Sequence, residues 1–160
     1  MDKQPISREG FDKLKEELRR YEQDDMPRIS QAVADARAEG DLRENAEYHG
    51  QREAQGLLQA KINQLKTKLA NTYIVDRADM PKGVVAFGSL VTVKDLAYGD
   101  EEQYEIVGPG EEDYESDILK ILATSPIALG MMGKKVGDTF EFEAPRGLQK
   151  YKILAIDVPE

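Results

Sequence analysis

Three carboxylates stand at positions 41, 44 and 47 of Asp41-Leu42-Arg43-Glu44-Asn45-Ala46-Glu47-Tyr48. The stretch follows Gly40 and separates two long, charge-rich segments. Oxygen donors of this kind suit Mg²⁺, which keeps most of its waters and is held by a few carboxylates plus ligands from elsewhere. On an exposed turn, Asp41 and Glu44 could bring such an ion to a site that another macromolecule completes. In a two-metal hydrolysis one ion orients and deprotonates water while the other stabilises the leaving oxygen. A role without chemistry competes with this. Asp at an N-cap with Glu three residues on matches a capping box, which satisfies the first amides of the helix that follows. Glu47, one helical turn further, reads as a solvated face or a support.

Arg37 and Arg52 flank the turn on opposite segments. They are either ordinary surface ion-pair partners, which contribute little, or cations that hold a nucleic-acid backbone near the turn. Tyr48 could stack on a base or plug the gap between the two segments, and packing is the simpler role. His49 is the only histidine and there is no cysteine. Disulfides, thiolate metal sites and thiol nucleophiles are thereby excluded, and His49 has no second soft ligand for company. It reads as an exposed helix-face residue.

Charge is uneven along the 160 residues. Residues 1–75 carry 13 Lys+Arg against 14 Asp+Glu, whereas residues 76–160 carry 9 against 17, a net of −8 in the overall −9. The second half should avoid nucleic acid and favour a basic protein surface. The N-terminal residues show no apolar signal-peptide core, and no apolar run approaches the roughly 20 residues of a membrane helix. The expected location is the cytoplasm.

The elements that must position the carboxylates follow from periodicity. Ser7 is an N-cap candidate, and Phe11, Leu14, Leu18 and Tyr21 keep the spacing of a coiled-coil seam. Asp24-Asp25-Met26-Pro27 interrupts it, and a kink or short break is expected there. Ile29, Val33 and Ala36 resume the stripe in a shifted register, and Gly40 ends the helix. A second helix is expected from about Asn45 to about Tyr73, with Leu58, Ile62, Leu65 and Leu69 on its seam and only Gln51, Gln55 and Gly56 nearer the turn. Ala32, Ala34, Ala36 and Ala38 are expected to face that thin part. Arms of about 30 residues would project roughly 45 Å. From periodicity alone this could equally be an antiparallel dimerisation coil.

After Tyr73 the pattern alternates. Asp79-Met80-Pro81-Lys82-Gly83 reads as a linker, with a domain boundary near residue 77, giving domains 1–76 and 77–160. Strands are expected at Val84 to Phe87, Leu90 to Lys94, Gln103 to Val107, Ile118 to Leu122, Thr139 to Glu143 and Lys150 to Ile156. Ser125-Pro126 opens a short helix, Ile127 to Met132, closed by Gly133. The fold class is α+β: an N-terminal antiparallel helical hairpin, then a small antiparallel sheet with one packed helix.

Gly40-Asp41-Leu42-Arg43-Glu44-Asn45-Ala46-Glu47-Tyr48-His49 strongly resembles the tip motif of the bacterial Gre transcript-cleavage factors, a family of transcription elongation factors. Ser125-Pro126-Ile127 with Gly133-Lys134, Phe87-Gly88 and Tyr104-Glu105-Ile106-Val107-Gly108 also resemble that family, over nearly the whole chain. The resemblance implies a coiled-coil hairpin and an FKBP-like C-terminal domain that docks on RNA polymerase at the rim of the secondary channel. It implies that the hairpin enters the channel of a backtracked complex. There Asp41 and Glu44 would help hold a second Mg²⁺ and the attacking water, so that the polymerase cleaves its own RNA. By position, Arg37 and Arg52 match a basic patch near the RNA. Leu42, Arg43, Asn45 and Tyr48 would position the tip, and Ser125, Pro126 and Ile127 would dock on polymerase. The implied partner set is polymerase and the RNA 3′ end, with no membrane, no tightly bound cofactor and a monomer when free. One departure stands out: many relatives carry an arginine where this chain has Leu129. Two other functions compete. Prolyl isomerisation would need an aromatic floor, whereas the chain has no Trp, and the phenylalanines of that half, Phe87, Phe140 and Phe142, are explained by strand packing. A channel plug that does not cleave should lack the acidic pair.

Overall fold

The computed structural model describes residues 3–40 and 45–158. Its contacts form two units, Met1–Phe11 with Thr72–Glu160 and Asp12–Asn71. Asp41, Leu42, Arg43 and Glu44 lie outside the described residues.

Helix α1 (Arg8–Arg20) starts where the hydroxyl of buried Ser7 accepts the amide N–H of Gly10 at 3.0 Å. Of the kink or short break expected at residues 24–27, the break does not occur, and the helix changes its winding instead. Tyr21–Asp25 forms one π-helical turn, in which the Met26 amide reaches Tyr21 O, and α2 (Met26–Ala38) follows with helical dihedrals throughout. The reason is local. Pro27 has no N–H to give, and a wider turn takes up one extra residue without ending the helix. That extra residue is also what shifts the apolar register between Tyr21 and Ile29.

Helix α3 (Ala46–Ala70) pairs with α2 through Val33 and Ala36 on one side and Leu58, Ile62 and Leu65 on the other, all buried. Burying a side chain such as Ile62 contributes about 1.5–3 kcal/mol. Polar contacts link Glu22 with Lys66, Ser30 with Gln55 and Ala36 with Asn45, so numbers rise on one helix as they fall on the other. Of the four alanines expected to face α3, Ala36 is buried and Ala32 half-buried, but Ala34 and Ala38 are exposed. Residues two apart lie on different faces of a helix. Helix α3 stops at Ala70 because the next residues leave for a strand.

That strand, β2 (Thr72–Ile74), pairs in parallel with β1 (Gln4–Ile6), a short two-stranded sheet with no counterpart in the sequence reading. The main sheet holds β3 (Leu90–Asp95), β4 (Glu101–Val107), β5 (Ile118–Leu122), β6 (Thr139–Ala144) and β7 (Gly147–Asp157) in the order β5-β4-β3-β7-β6. It is mixed, not antiparallel: β4 and β5 run parallel while the other pairs are antiparallel. The connection over residues 108–117 is too long for a hairpin and carries the chain back to β4's starting end. Val84 to Phe87 is not a strand. The buried Val85 exchanges backbone bonds with Gly133 and Lys134, the turn after α4 (Pro126–Met131), and joins the core without joining the sheet. Val91, Val93, Ile106, Ile121, Met131 and Ile153 form the centre of that core.

Candidate functional site

The connection between α2 and α3 carries the acidic motif, and its described edge is built around one side chain. Asn45, half-buried, has extended dihedrals and is the N-cap of α3: its Oδ1 accepts the Tyr48 amide N–H at 3.0 Å. Its Nδ2 donates to the carbonyl of Ala36 at 2.6 Å, in the last turn of α2. A single amide therefore satisfies an orphan donor at one helix start and gives a second bond to a carbonyl at the other helix end, Ala36 O, which also accepts from Glu39 N. The capping box that would have employed Asp41 and Glu44 is displaced: the cap falls on Asn45, four residues beyond the position expected for it.

Arg37 and Tyr48 meet across the two helices. The Arg37 guanidinium lies 5.7 Å from the Tyr48 ring centroid, and its Nη2 is 3.5 Å from the phenolic oxygen. Tyr48 is half-buried while Arg37 is exposed, so the ring packs between the helices and the cation stays in water above it. His49 is exposed and sits edge-on to Tyr48 at 5.5 Å. Arg52 is exposed and donates through Nη1 to Gln55 Oε1 at 2.7 Å, and Gln55 in turn donates to Ser30 Oγ at 3.2 Å. Gln55 and Ser30 as the orienting pair for Arg52 escaped the sequence reading. The available signal was a glutamine at a seam position where an apolar residue belongs. Glu47 is exposed in the first turn of α3, where a negative charge suits the helix dipole.

Ser125 caps α4, accepting the Ala128 amide at 3.4 Å and donating to Leu122 O at 2.7 Å. Pro126 is exposed and Ile127 half-buried against the core. Leu129 is 63% exposed. No group of three or more His, Cys, Asp or Glu side chains able to hold a metal occurs among the described residues, and none of the described helices is long and apolar enough to cross a membrane.

Comparison with known proteins gives a consistent result. Residues 4–74 match the family model "Transcription elongation factor, N-terminal", and residues 80–158 match "Transcription elongation factor, GreA/GreB, C-term". The chain is 44% identical over 156 residues to transcription elongation factor GreA of Beijerinckia indica, covering 98% of each chain. The same identity and coverage hold for GreA of Brucella canis. Among solved structures, GreA factor homolog 1 of Thermus thermophilus aligns at 20% identity and a TM-score of 0.45, over 97% of this chain and 99% of that one.

Proposed function

We propose, given that the chain belongs to the GreA/GreB family of transcription elongation factors and to its GreA type, that it stimulates RNA polymerase to cleave backtracked nascent RNA. In this reading residues 1–76 form a coiled-coil hairpin that enters the secondary channel. Residues 77–160 form an FKBP-like domain that docks on the channel rim through Ser125, Pro126, Ile127 and their surroundings. The protein is an accessory factor working in the cytoplasm, and hydrolysis takes place in the polymerase's own site.

The observation that supports the reading best is the use of Asn45. Because this side chain caps α3 and ties it to α2, helix capping no longer accounts for Asp41 and Glu44. In this reading the chemistry of the segment falls to its two carboxylates. Their donor set fits Mg²⁺, a hard cation that prefers carboxylate oxygen and tolerates a shared site. Asp41 and Glu44 would hold the ion, and the ion, when bound, would supply charge stabilisation and an activated water. Arg37, held over Tyr48, and Arg52, held by Gln55, present exposed guanidinium groups on both helices for an RNA backbone. Leu42 and Arg43 complete the proposed contact with polymerase. The test is a halted, backtracked polymerase complex with end-labelled RNA. The expected result is faster shortening of the transcript with the protein, lost in Asp41→Asn and Glu44→Gln while polymerase binding persists. Loss of binding in those variants would give the two carboxylates a docking role instead.

A further inference from the structure

Between the turn after β3 and the hairpin of β6 and β7 lies an open groove of about 360 Å³, at the lower end of the roughly 300–1,000 Å³ typical of ligand sites. Its lining holds the exposed carboxylate of Asp100, the half-buried one of Glu102 and the buried one of Asp95, whose Oδ1 accepts from the Ala97 and Tyr98 amides, against one cation, Arg146. Its aromatic part is Tyr98, Phe142 and Tyr151. Phe142 and Tyr151 stack at 5.4 Å, and Tyr98 is 77% exposed, far more than packing would leave a tyrosine. Independent of this charge, Tyr151 is 7% exposed and its hydroxyl has no hydrogen-bond partner among the described residues, though the residue lines the groove. The contrast with Tyr104 is direct, for that buried hydroxyl donates to Glu102. A hydroxyl that lines a groove and has no partner there keeps its lone pairs open to a donor that enters the groove. Burial pushes the Tyr151 hydroxyl above its ordinary value, and the nearby charges of Glu102 and Asp95 add to that. It therefore stays protonated at neutral pH, with lone pairs to offer a donor.

We propose that this groove binds an alkylammonium group on an apolar stem, as a lysine side chain of a partner polypeptide presents it. The stem lies on Phe142 and Tyr98, and the ammonium takes the Tyr151 oxygen and the lining carboxylates. An ammonium donates three hydrogen bonds and accepts none, which matches a lining dominated by acceptors. Aromatic faces add cation–π attraction. An anion is disfavoured by three carboxylates to one guanidinium. A neutral apolar ligand would leave the Tyr151 hydroxyl as it is now.

The test is titration of the full chain, followed by amide chemical shifts, with a lysine-containing peptide, with putrescine, and with the same peptide carrying norleucine in place of lysine. The expected result is saturable shifts at Tyr98, Asp100, Glu102 and Tyr151 with the ammonium ligands and none with norleucine. Tighter binding of the peptide assigns the source to protein, and tighter binding of putrescine assigns it to a free polyamine. Tyr151→Phe should weaken binding by about tenfold, the range for a hydrogen bond to a charged partner. Asp100→Asn, an exposed change that leaves the core alone, should weaken it and reduce its salt dependence. Equal binding of the norleucine peptide would overturn the proposal. So would the absence of shifts at millimolar ligand, or unchanged affinity in both folded variants.

Discussion

Asn45 makes a prediction whose size follows from two contacts. Asn45→Ala removes the bond from Tyr48 N and the bond to Ala36 O together. Losing an N-cap side chain costs about 0.5–2 kcal/mol. The second bond adds about 0.5–1.5 kcal/mol. Its lower half applies, because Ala36 O keeps a bond from Glu39 N at 3.2 Å. The expected loss is about 1–3 kcal/mol. Asn45→Asp separates the contributions. A carboxylate still accepts from Tyr48 N, and the helix dipole favours it. It has no hydrogen to give Ala36 O, and two oxygens then face each other across the former bond. The order of stability should be Asn, then Asp, then Ala. Urea unfolding followed by far-ultraviolet circular dichroism measures it, with the denaturant slope checked for constancy. An alanine variant within about 0.5 kcal/mol of the parent, the range of ordinary surface changes, would refute the cross-brace. Aspartate falling below alanine would refute the assignment of the cap bond.

Two further outcomes follow from the sheet-containing unit. A Cβ on Gly10 would lie 2.5–2.7 Å from the Glu111 carboxyl group, whose oxygens accept from Ser7 Oγ and Gly108 N. Gly10→Ala should therefore destabilise the parent, yet stabilise a Glu111→Ala background by up to about 1 kcal/mol, because alanine is the better helix former. A thermal-shift double-mutant cycle reads the change of sign, and additive effects would contradict the clash. Tyr104 and Tyr151 both hold their protons above the ordinary tyrosine value, Tyr104 through burial and then its bond to Glu102, Tyr151 through burial. The native state then keeps protons that the unfolded chain releases, so this stability is intact below about pH 10, the unfolded value, and declines as pH rises from there. Urea midpoints from about pH 8 to about pH 11 should fall more steeply for the parent than for Tyr104→Phe, and parallel curves would count against the shift.

The helical apolar spacing was legible. Leu14, Val33, Ala36, Leu58, Ile62 and Leu65 are the buried apolar side chains of α1, α2 and α3, as their positions require. Ser7 and Ser125 announce their caps by type and place. What failed has physical reasons. Proline at 27 declares a missing donor, but not whether the chain breaks or widens by one residue. Strands β4 and β5 are short and do not alternate cleanly, and nothing in so short a strand names its neighbour's direction, so the direction of β5 was hidden. Val85 is as apolar as any strand residue, but its partners are backbone groups after α4, which no local pattern reveals. Around the motif two overlapping cap signals compete, Asp41 with Glu44 and Asn45 alone. The bond to Ala36 nine residues upstream favours Asn45 and cannot be seen in a local window. Leu129 remains exposed with no structural explanation.

The most direct measurement is the initial rate at which a stalled, backtracked polymerase trims its RNA, compared among parent, Asp41→Asn and Glu44→Gln at matched occupancy. If carboxylate oxygens delivered by residues 41–44 do the work, the parent accelerates trimming and both variants occupy polymerase without doing so. Full acceleration by the two amides, or none by the parent, would contradict the account at its centre.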